Sequence, residues 1–223
     1  MSLTAARQQP TSELTSVSAF FRGRRFGRFL ALVDDVIAAR GHARILDLGG
    51  TANYWHTHGA ALGDRPVRIT IVNPLAQASG DPRLEVRPGD ARALPDLADY
   101  AYDIVHSNSV LEHVGRYADM QAMAREVRRL APRHYVQTPA AGFPVEPHFR
   151  TPFFHWLPEP VRLRLIMAMP LGAYPKADSV ERAMAFLEDA VLLDRPRMQA
   201  LFPDSRIEAE RVLGFVKSHI AVR

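Results

Sequence analysis

The sequence predicts an α/β fold in which strands alternate with helices and most strands pair in parallel. Short apolar runs typical of buried strands recur along the first two thirds of the chain, and segments with helical spacing lie between them. With 223 residues, of which 47% are hydrophobic and 23% charged, the chain suits one globular domain with additions. Strands separated by helices imply right-handed crossovers, and therefore a mostly parallel, doubly wound sheet.

An amphipathic helix opens the predicted domain, which extends over residues 14–223. Residues 14–40 are expected to form a helical cover that ends before Gly41. Residues 1–13 are polar and lack periodicity, so we expect a disordered or loosely attached tail there. The apolar positions of the helix recur at i, i+4, i+7 and i+11, at Phe26, Leu30, Val33 and Ile37.

Strand and helix patterns then alternate up to Pro139. The apolar runs predict strands over residues 44–48, 67–73, 83–88, 102–108 and 134–138. Helical spacing predicts helices over residues 54–62 and 115–130.

The chain after Pro139 has a different composition. Residues 140–202 are rich in proline and aromatic residues, and we interpret them as an insert with helical candidates over 161–169 and 180–191. Two strand patterns joined at Gly214 close the chain and predict an antiparallel hairpin at the edge of the sheet. The helical part of the insert and the amino-terminal helix are expected to cover the strand ends as a lid.

Composition excludes several kinds of site. The chain has no cysteine, which excludes disulfides, thiolate metal sites and a cysteine nucleophile. No run approaches the roughly 18 apolar residues of a membrane span, and the first residues lack the pattern of a signal peptide, so we expect a cytoplasmic protein. The net charge is +4 without a broad basic surface pattern, and no nucleic-acid partner is expected.

The densest basic segment is FRGRRFGRF, residues 21–29, in which arginines and aromatic residues are interleaved. Such a segment can bind phosphate or contact an acidic membrane surface peripherally. The simpler interpretation, which we favour, is a solvated helix face.

Four segments in a fixed order carry a more specific signal. They are LDLGG after the first predicted strand, VNP after the second, GDARALP before the fourth and DIVHSNSVLEHV at the end of the fourth. The set resembles the class I S-adenosylmethionine-dependent methyltransferases, of the broad type 11-like group whose fourth strand ends in a Ser-Asn-x-Leu-Glu-His pattern. The resemblance covers roughly residues 43–138. It implies a Rossmann-like sheet of seven strands, S-adenosylmethionine as cofactor and S-adenosylhomocysteine as product.

The resemblance also implies which residues bind the cofactor. The turn after the first strand would lie under the methionine part, the end of the second strand would contact the ribose, and Asp90 with the neighbouring backbone would hold the adenine. The implied cofactor-binding residues are Asp47, Gly49, Gly50, Thr51, Asn73, Pro74, Asp90, Ala91, Arg92, Asn108 and Ser109. A simpler role is open for Asp47 and Asp90, which could tie together their own turns.

The turn departs from the family pattern at three positions. Thr51 and Asn53 stand where the second and third glycines would fall, and Asn73 replaces the acid that accepts the ribose hydroxyls. We expect Asn53 to adopt the left-handed backbone of the missing glycine, because asparagine tolerates it better than most residues. The amide of Asn73 can still accept one hydrogen bond and donate another.

Three residues are candidates for chemistry on the methyl acceptor. His113 is the first candidate for a general base because the ordinary pKa of histidine lies near neutrality. Glu146 and His148 lie past the fifth strand, on the side where acceptors bind in this fold. The alternatives are a histidine that packs at a helix start and a proline-stiffened loop. No metal site is predicted, because the histidine spacing matches neither HExxH nor a compact zinc set.

The expected function is therefore methyl transfer from S-adenosylmethionine to a small-molecule or lipid-linked acceptor. The alternative from another class is a non-catalytic binding module whose cofactor turn has eroded at Thr51, Asn53 and Asn73. An NAD-binding oxidoreductase fits less well, because the Gly-x-Gly-x-x-Gly spacing is absent and the second strand ends without an acid.

Overall fold

The computed structural model describes residues 14–75 and 79–223. The tail predicted over residues 1–13 lies outside the described residues. Seven strands are present in the described part of the chain. They are β1 (Ala43–Leu48), β2 (Val67–Val72), β3 (Leu84–Arg87), β4 (Ile104–Asn108), β5 (Arg133–Pro139), β6 (Arg206–Val212) and β7 (Phe215–Val222).

All seven strands belong to one sheet, in the order β3-β2-β1-β4-β5-β7-β6. The pairs from β3 to β5 are parallel, whereas β7 runs antiparallel to both β5 and β6. The prediction of a mostly parallel seven-stranded sheet with a carboxyl-terminal antiparallel hairpin is confirmed.

Six α-helices surround or extend the sheet within the described residues. They are α1 (Leu14–Arg40), α2 (Ala52–Leu62), α3 (Tyr117–Leu130), α4 (Glu159–Ala168), α5 (Val180–Glu188) and α6 (Arg195–Leu201). Short 3-10 helices also form at Leu111–His113 and Phe154–Trp156. None of the helices in the described ranges is both long and apolar enough to cross a membrane.

Two apolar cores lie on opposite faces of the sheet, because neighbouring residues of a strand point to opposite faces. On one face, α1 and α2 cover Ile45 and Ile69, with Phe29 and Val33 of α1 fully buried. On the other face, α3 and α6 cover Leu46, Val105 and Val136. The central strands are therefore buried on both sides, as their almost continuous apolar sequences require.

The basic segment of residues 21–29 lies within α1 and is only partly a solvated face. Phe21, Phe26 and Phe29 are buried. Arg25 is also buried, and its Nη1 lies 2.8 Å from Oε2 of Glu210 in β6. The segment therefore attaches α1 to the carboxyl-terminal hairpin.

The insert has a small core of its own. Phe149, Phe154, Ile166 and Phe186 pack together between α4, α5 and the 3-10 helix Phe154–Trp156. The region that we assigned to the insert also contains α6, which no sequence pattern had indicated and which packs against the main core through Met198 and Leu201.

The order of the strands determines where a ligand can bind. Connections lead outward from β1 through β2 to β3 on one side, and from β4 to β5 on the other, so the winding reverses between β1 and β4. In open α/β sheets, ligands bind at such a switch point, beyond the carboxyl ends of the strands. The turn after β1 and the segment after β4 are both at this position.

Candidate active site

Asp47 supports the turn after β1 from below. It is 1% exposed, and its two carboxylate oxygens lie 2.8 Å from Nδ1 of His106 and 2.7 Å from Nε1 of Trp55. The sheet register places Asp47 directly beside His106 on β4. Both oxygens therefore already have protein partners, which favours a role in holding the turn. Direct contact between Asp47 and a cofactor stays a prediction.

The two glycines are required by space as well as by backbone conformation. Gly49 has a φ of +75°, and a Cβ placed on it would lie 2.3 Å from Cγ1 of Val110. A Cβ on Gly50 would lie 1.7 Å from Oδ2 of Asp47. The turn therefore packs tightly on the segment after β4 and on its own aspartate.

Thr51 and Asn53 have ordinary helical roles. Thr51 is the N-cap of α2, with extended backbone, and its Oγ1 accepts a hydrogen bond of 3.3 Å from the Tyr54 amide. Asn53 lies inside α2 and is not among the residues with positive φ, so the prediction that it replaces a left-handed glycine is wrong. The chain avoids the need for the later glycines because α2 begins at Ala52.

Asn73 closes the turn from the neighbouring strand. Its Nδ2 donates to the carbonyl of Gly50 at 2.9 Å and to that of Gly49 at 3.3 Å, and its Oδ1 accepts from the Leu75 amide at 2.9 Å. Pro74 follows as an exposed residue. A carboxylate at position 73 could not donate to the two carbonyls. These hydrogen bonds therefore explain why an amide stands at this position.

Asp90 forms a two-pronged ion pair with Arg92. Nε of Arg92 lies 2.9 Å from Oδ1, and Nη2 lies 2.6 Å from Oδ2. The hydrogen bonds from Arg92 lower the pKa of Asp90, which therefore stays ionised. The Asp90 side chain is 48% exposed and keeps lone pairs open to a ligand, while Ala91 packs into the core. Arg92 also reaches Asp119 of α3 at 3.1 Å.

Asn108 and Ser109 end β4 beside the glycine turn. Ser109 has a φ of +55°, a strained conformation for a residue with a side chain, and its Oγ donates to Oε1 of Gln137 at 3.0 Å. Gln137 in turn donates to Ser218 of β7 at 3.2 Å. Such strain is often found where the backbone is positioned for function.

The three candidates for acceptor chemistry come together beyond β4 and β5. His113 and His148 face each other with Nε2 atoms 3.0 Å apart, although 35 positions separate them in the chain. Nδ1 of His148 lies 2.5 Å from Oε1 of Glu146, and Nδ1 of His113 lies 2.7 Å from the Asp189 carbonyl oxygen. Glu146 also accepts hydrogen bonds from the backbone amides of His148 and Phe149.

Glu112 is a site residue that was not among the candidates predicted from the sequence. It is 1% exposed, its Oε2 accepts a hydrogen bond of 2.9 Å from Thr138, and its Oε1 lies 4.0 Å from Nε2 of His113. Its backbone carbonyl accepts a hydrogen bond from the Val191 amide, which holds the end of the insert against the site. The signal available in the sequence was an acid directly before His113, the candidate base.

At the switch point, the side chains keep fewer hydrogen-bonding groups open to a ligand than the family pattern implies. The turn at Gly49 and Gly50 is half-buried, with both carbonyls bonded to Asn73, and the half-exposed carboxylate of Asp90 is available to a ligand. Asn108 is also available, because its side chain makes no hydrogen bond within the described part of the chain. His113 lies three residues beyond Val110, which packs on Gly49. The histidine pair therefore begins close to the turn.

One family model matches part of the chain. Residues 46–133 match the family model described as a methyltransferase domain, which covers the chain from β1 to the start of β5. No curated protein matches the chain.

Several solved structures are similar to the chain at low sequence identity. Magnesium protoporphyrin IX methyltransferase from Synechocystis PCC 6803, solved with bound S-adenosylhomocysteine, has a TM-score of 0.52 at 12% identity, over 97% of this chain and 90% of that chain. A SAM-dependent methyltransferase from Methanosarcina mazei has a TM-score of 0.49 at 11% identity, over 81% and 91% of the two chains.

Phosphoethanolamine N-methyltransferase 2 from Haemonchus contortus, in complex with S-adenosyl-L-methionine, has a TM-score of 0.47 at 12% identity over 75% of this chain. The chain spans only 35% of that protein. The family match over residues 46–133, on a sheet with the strand order and terminal hairpin described above, supports the class I S-adenosylmethionine-dependent methyltransferase family.

Proposed function

We propose that the chain transfers a methyl group from S-adenosylmethionine to a small-molecule acceptor bound beside the histidine pair. The observation that carries the proposal is the position of His113 and His148. They face each other at 3.0 Å beyond β4, next to the turn in which the family binds its cofactor. The acceptor would be held between this pair and Ser109.

Four segments would hold the cofactor. The backbone of Gly49 and Gly50 would approach the methionine part, with Asp47 fixing the turn from below. The oxygen of Asn73 and the exposed carboxylate of Asp90 would accept hydrogen bonds from the ribose and the adenine amine, and the backbone at Ala91 and Arg92 would contact the ring. Asn108 and Ser109 would contact the methionine end. S-adenosylmethionine, when bound, supplies an electrophilic methyl group.

The protein mainly has to align the acceptor and exclude water, because methyl transfer is a direct displacement. A base is needed only for a hydroxyl or a protonated amine. Glu146 holds Nδ1 of His148 and the Asp189 carbonyl holds Nδ1 of His113, so both rings present Nε2 to the same point. That point is where an acceptor proton would be received.

An amphiphilic or lipid-linked acceptor is supported by a separate observation. Large apolar side chains of the insert are exposed, and they include Phe153, Trp156 and Met169 at 49–51% exposure. An apolar surface of this kind suits an acceptor with a hydrophobic tail, or peripheral contact with the membrane that holds it. Sedimentation with anionic vesicles tests the membrane contact. A protein that stays in the supernatant would contradict it.

The first experiment is calorimetric titration with S-adenosylmethionine and S-adenosylhomocysteine, with NAD and ATP as controls. We expect saturable binding of the two sulfur nucleotides in the micromolar range, about −8 kcal/mol, and none of the controls. A folded protein that binds neither nucleotide would support the non-catalytic module. A protein that binds NAD instead would support the oxidoreductase.

A further inference from the structure

The hydrogen-bond partners of His113 and His148 determine which nitrogen of each ring carries a proton. A backbone carbonyl only accepts, so Nδ1 of His113, 2.7 Å from the Asp189 oxygen, must donate. With Glu146 as a carboxylate, whose Oε2 accepts the backbone amides of His148 and Phe149, Nδ1 of His148 donates to its Oε1. Both neutral rings then have a lone pair on Nε2.

Those two lone pairs point toward each other across 3.0 Å. Two acceptor nitrogens at this distance repel each other unless a positive charge lies between or beside them. Either one ring takes up a second proton, or a metal ion binds both nitrogens. Glu112 makes the metal ion possible, because its buried carboxylate lies 4.0 Å from Nε2 of His113 and supplies a third ligand atom.

We propose that Glu112, His113 and His148 bind a divalent transition-metal ion such as Zn²⁺. The ligand atoms of the three residues all lie within 4.8 Å of one another. Two nitrogen ligands at 2.0–2.1 Å from a tetrahedral zinc ion are about 3.3 Å apart, close to the 3.0 Å between the two rings. The carboxylate needs only a small movement toward the pair.

The surrounding hydrogen bonds are those of a metal site. Metal-binding histidines usually donate their other ring nitrogen to a carboxylate or a backbone carbonyl, which orients the ring. Here His148 has the carboxylate of Glu146 and His113 has the Asp189 carbonyl. Glu112 is oriented by Thr138 in the same way.

The ligand set also indicates the kind of ion and its use. Two imidazoles with one carboxylate suit zinc or another first-row transition metal, whereas magnesium prefers oxygen ligands and retained water. The histidine side chains are 18% and 15% exposed, so a further coordination position can face a small molecule. An ion there would occupy both Nε2 lone pairs and would favour the deprotonated form of an acceptor oxygen, in place of proton uptake by the rings. This role, unlike metal binding itself, rests on the proposed methyl transfer.

The test is metal binding by untagged, chelator-treated protein. Calorimetry with Zn²⁺ and visible absorption with Co²⁺ should both show one ion per chain, and Mg²⁺ should not compete. His113→Ala and His148→Ala should each weaken binding by at least about 100-fold, and Glu146→Gln by about 10- to 100-fold. His42→Ala, which removes an exposed histidine, is the control and should bind as the parent does.

Circular dichroism verifies that each variant is folded, and Glu146→Gln tests the site even if a ligand variant is not. No saturable binding by the parent, or equal binding by the parent and both histidine variants, would overturn the metal site and leave a shared proton between the rings. S-adenosylhomocysteine is titrated in parallel. Nucleotide binding without metal overturns the metal site alone, and metal binding without nucleotide overturns the proposed methyl transfer alone.

Discussion

Asn73 shows how a departure from a family pattern acquires a structural function. The resemblance implies an acid that accepts the ribose hydroxyls at this position. The amide instead donates to the carbonyls of Gly49 and Gly50, and so ties the end of β2 to the turn after β1. Asn73 therefore offers a weaker ribose contact than an acid would, but it stabilises the turn at Gly49 and Gly50.

Asn73→Asp should destabilise the protein, because the carboxylate loses both donated hydrogen bonds and faces two carbonyl oxygens. We expect a loss of about 1–3 kcal/mol in the free energy of unfolding by urea, with weaker binding of S-adenosylhomocysteine. Asn53→Asp makes the same chemical change at an exposed position of α2 and should have little effect. Tighter nucleotide binding at unchanged stability would show that residue 73 faces the ribose instead.

Asp90→Ala tests the adenine contact. Removing the carboxylate should weaken binding of S-adenosylhomocysteine by about 10- to 100-fold, corresponding to about 1–3 kcal/mol for a lost hydrogen bond between a charged group and the ligand. Asp96→Ala is the matched control, because Asp96 also pairs with an arginine, Arg87, at an exposed position. Equal affinities for the two variants in calorimetry would remove Asp90 from the site.

At the residue scale, the sequence indicated the positions of the site better than the directions of its side chains. It placed His113 and His148 on the acceptor side, yet their contact across 35 positions depends on how the insert folds back. It assigned Asn53 a left-handed backbone, since nothing in a glycine-poor turn reveals that the helix begins at Ala52. Contacts between distant segments require the packing, which local patterns do not contain.

At the scale of elements, α1 is held to the sheet by a buried ion pair as well as by its apolar face. The side chains of Arg25 and Glu210 are 9% and 4% exposed, and their charged atoms lie 2.8 Å apart. The hydroxyl of Tyr135 on β5 also donates to the Arg25 carbonyl at 3.3 Å. These contacts join the amino-terminal helix to β5 and β6.

Arg25→Ala should cost about 3–5 kcal/mol in the free energy of unfolding, because it leaves Glu210 buried without its partner. Arg24→Ala, one position away on the exposed side of α1, should cost far less. Urea denaturation of the two variants measures the difference. Similar costs for both would mean that Arg25 contributes no more than a solvated arginine.

Most elements could be predicted from sequence because they are long enough to show a period. The helix α6 was missed, since its seven residues span barely two turns. Its start was nonetheless encoded, because Asp194 is the N-cap, with its side chain accepting from the Arg197 amide at 2.9 Å, and Pro196 lies in the first turn.

For the whole molecule, buried histidines make stability depend on pH. Burial lowers the pKa of His134 to about 4, with help from the charges of Arg223 and Arg128. Burial also lowers the pKa values of His219 and His58. Below the ordinary histidine pKa of about 6.5, these histidines become protonated in the unfolded chain but stay neutral in the native protein.

The protein should therefore lose stability as the pH falls from about 6.5 to about 4, with His134 accounting for about 3 kcal/mol of the full change. Urea denaturation at about pH 7.5 and about pH 5 measures the loss. It should be smaller in His134→Gln, which removes the titrating ring, and unchanged in His42→Gln. An equal loss in all three proteins would contradict the assignment to His134.

At this scale the sequence predicted the type of sheet, because alternating strand and helix patterns imply parallel pairing and the family resemblance implies seven strands. The seven strands, the parallel pairing and the terminal hairpin agree with it. The prediction did not reveal that α6, within the region assigned to the insert, packs against the main core. The composition changes at Pro139, but no second change marks the point at which the chain returns to the main core.

The insert leaves and rejoins the sheet at nearly one point. Ala140 and Leu193 form a β-bridge, and the Ala141 amide donates to the Leu193 carbonyl at 3.0 Å. The two ends of the insert are therefore held close together, after β5 and just before α6. Replacing residues 142–192 would exchange His148 and Asp189, and with them the acceptor site proposed above, while the turn after β1 lies outside the exchanged segment.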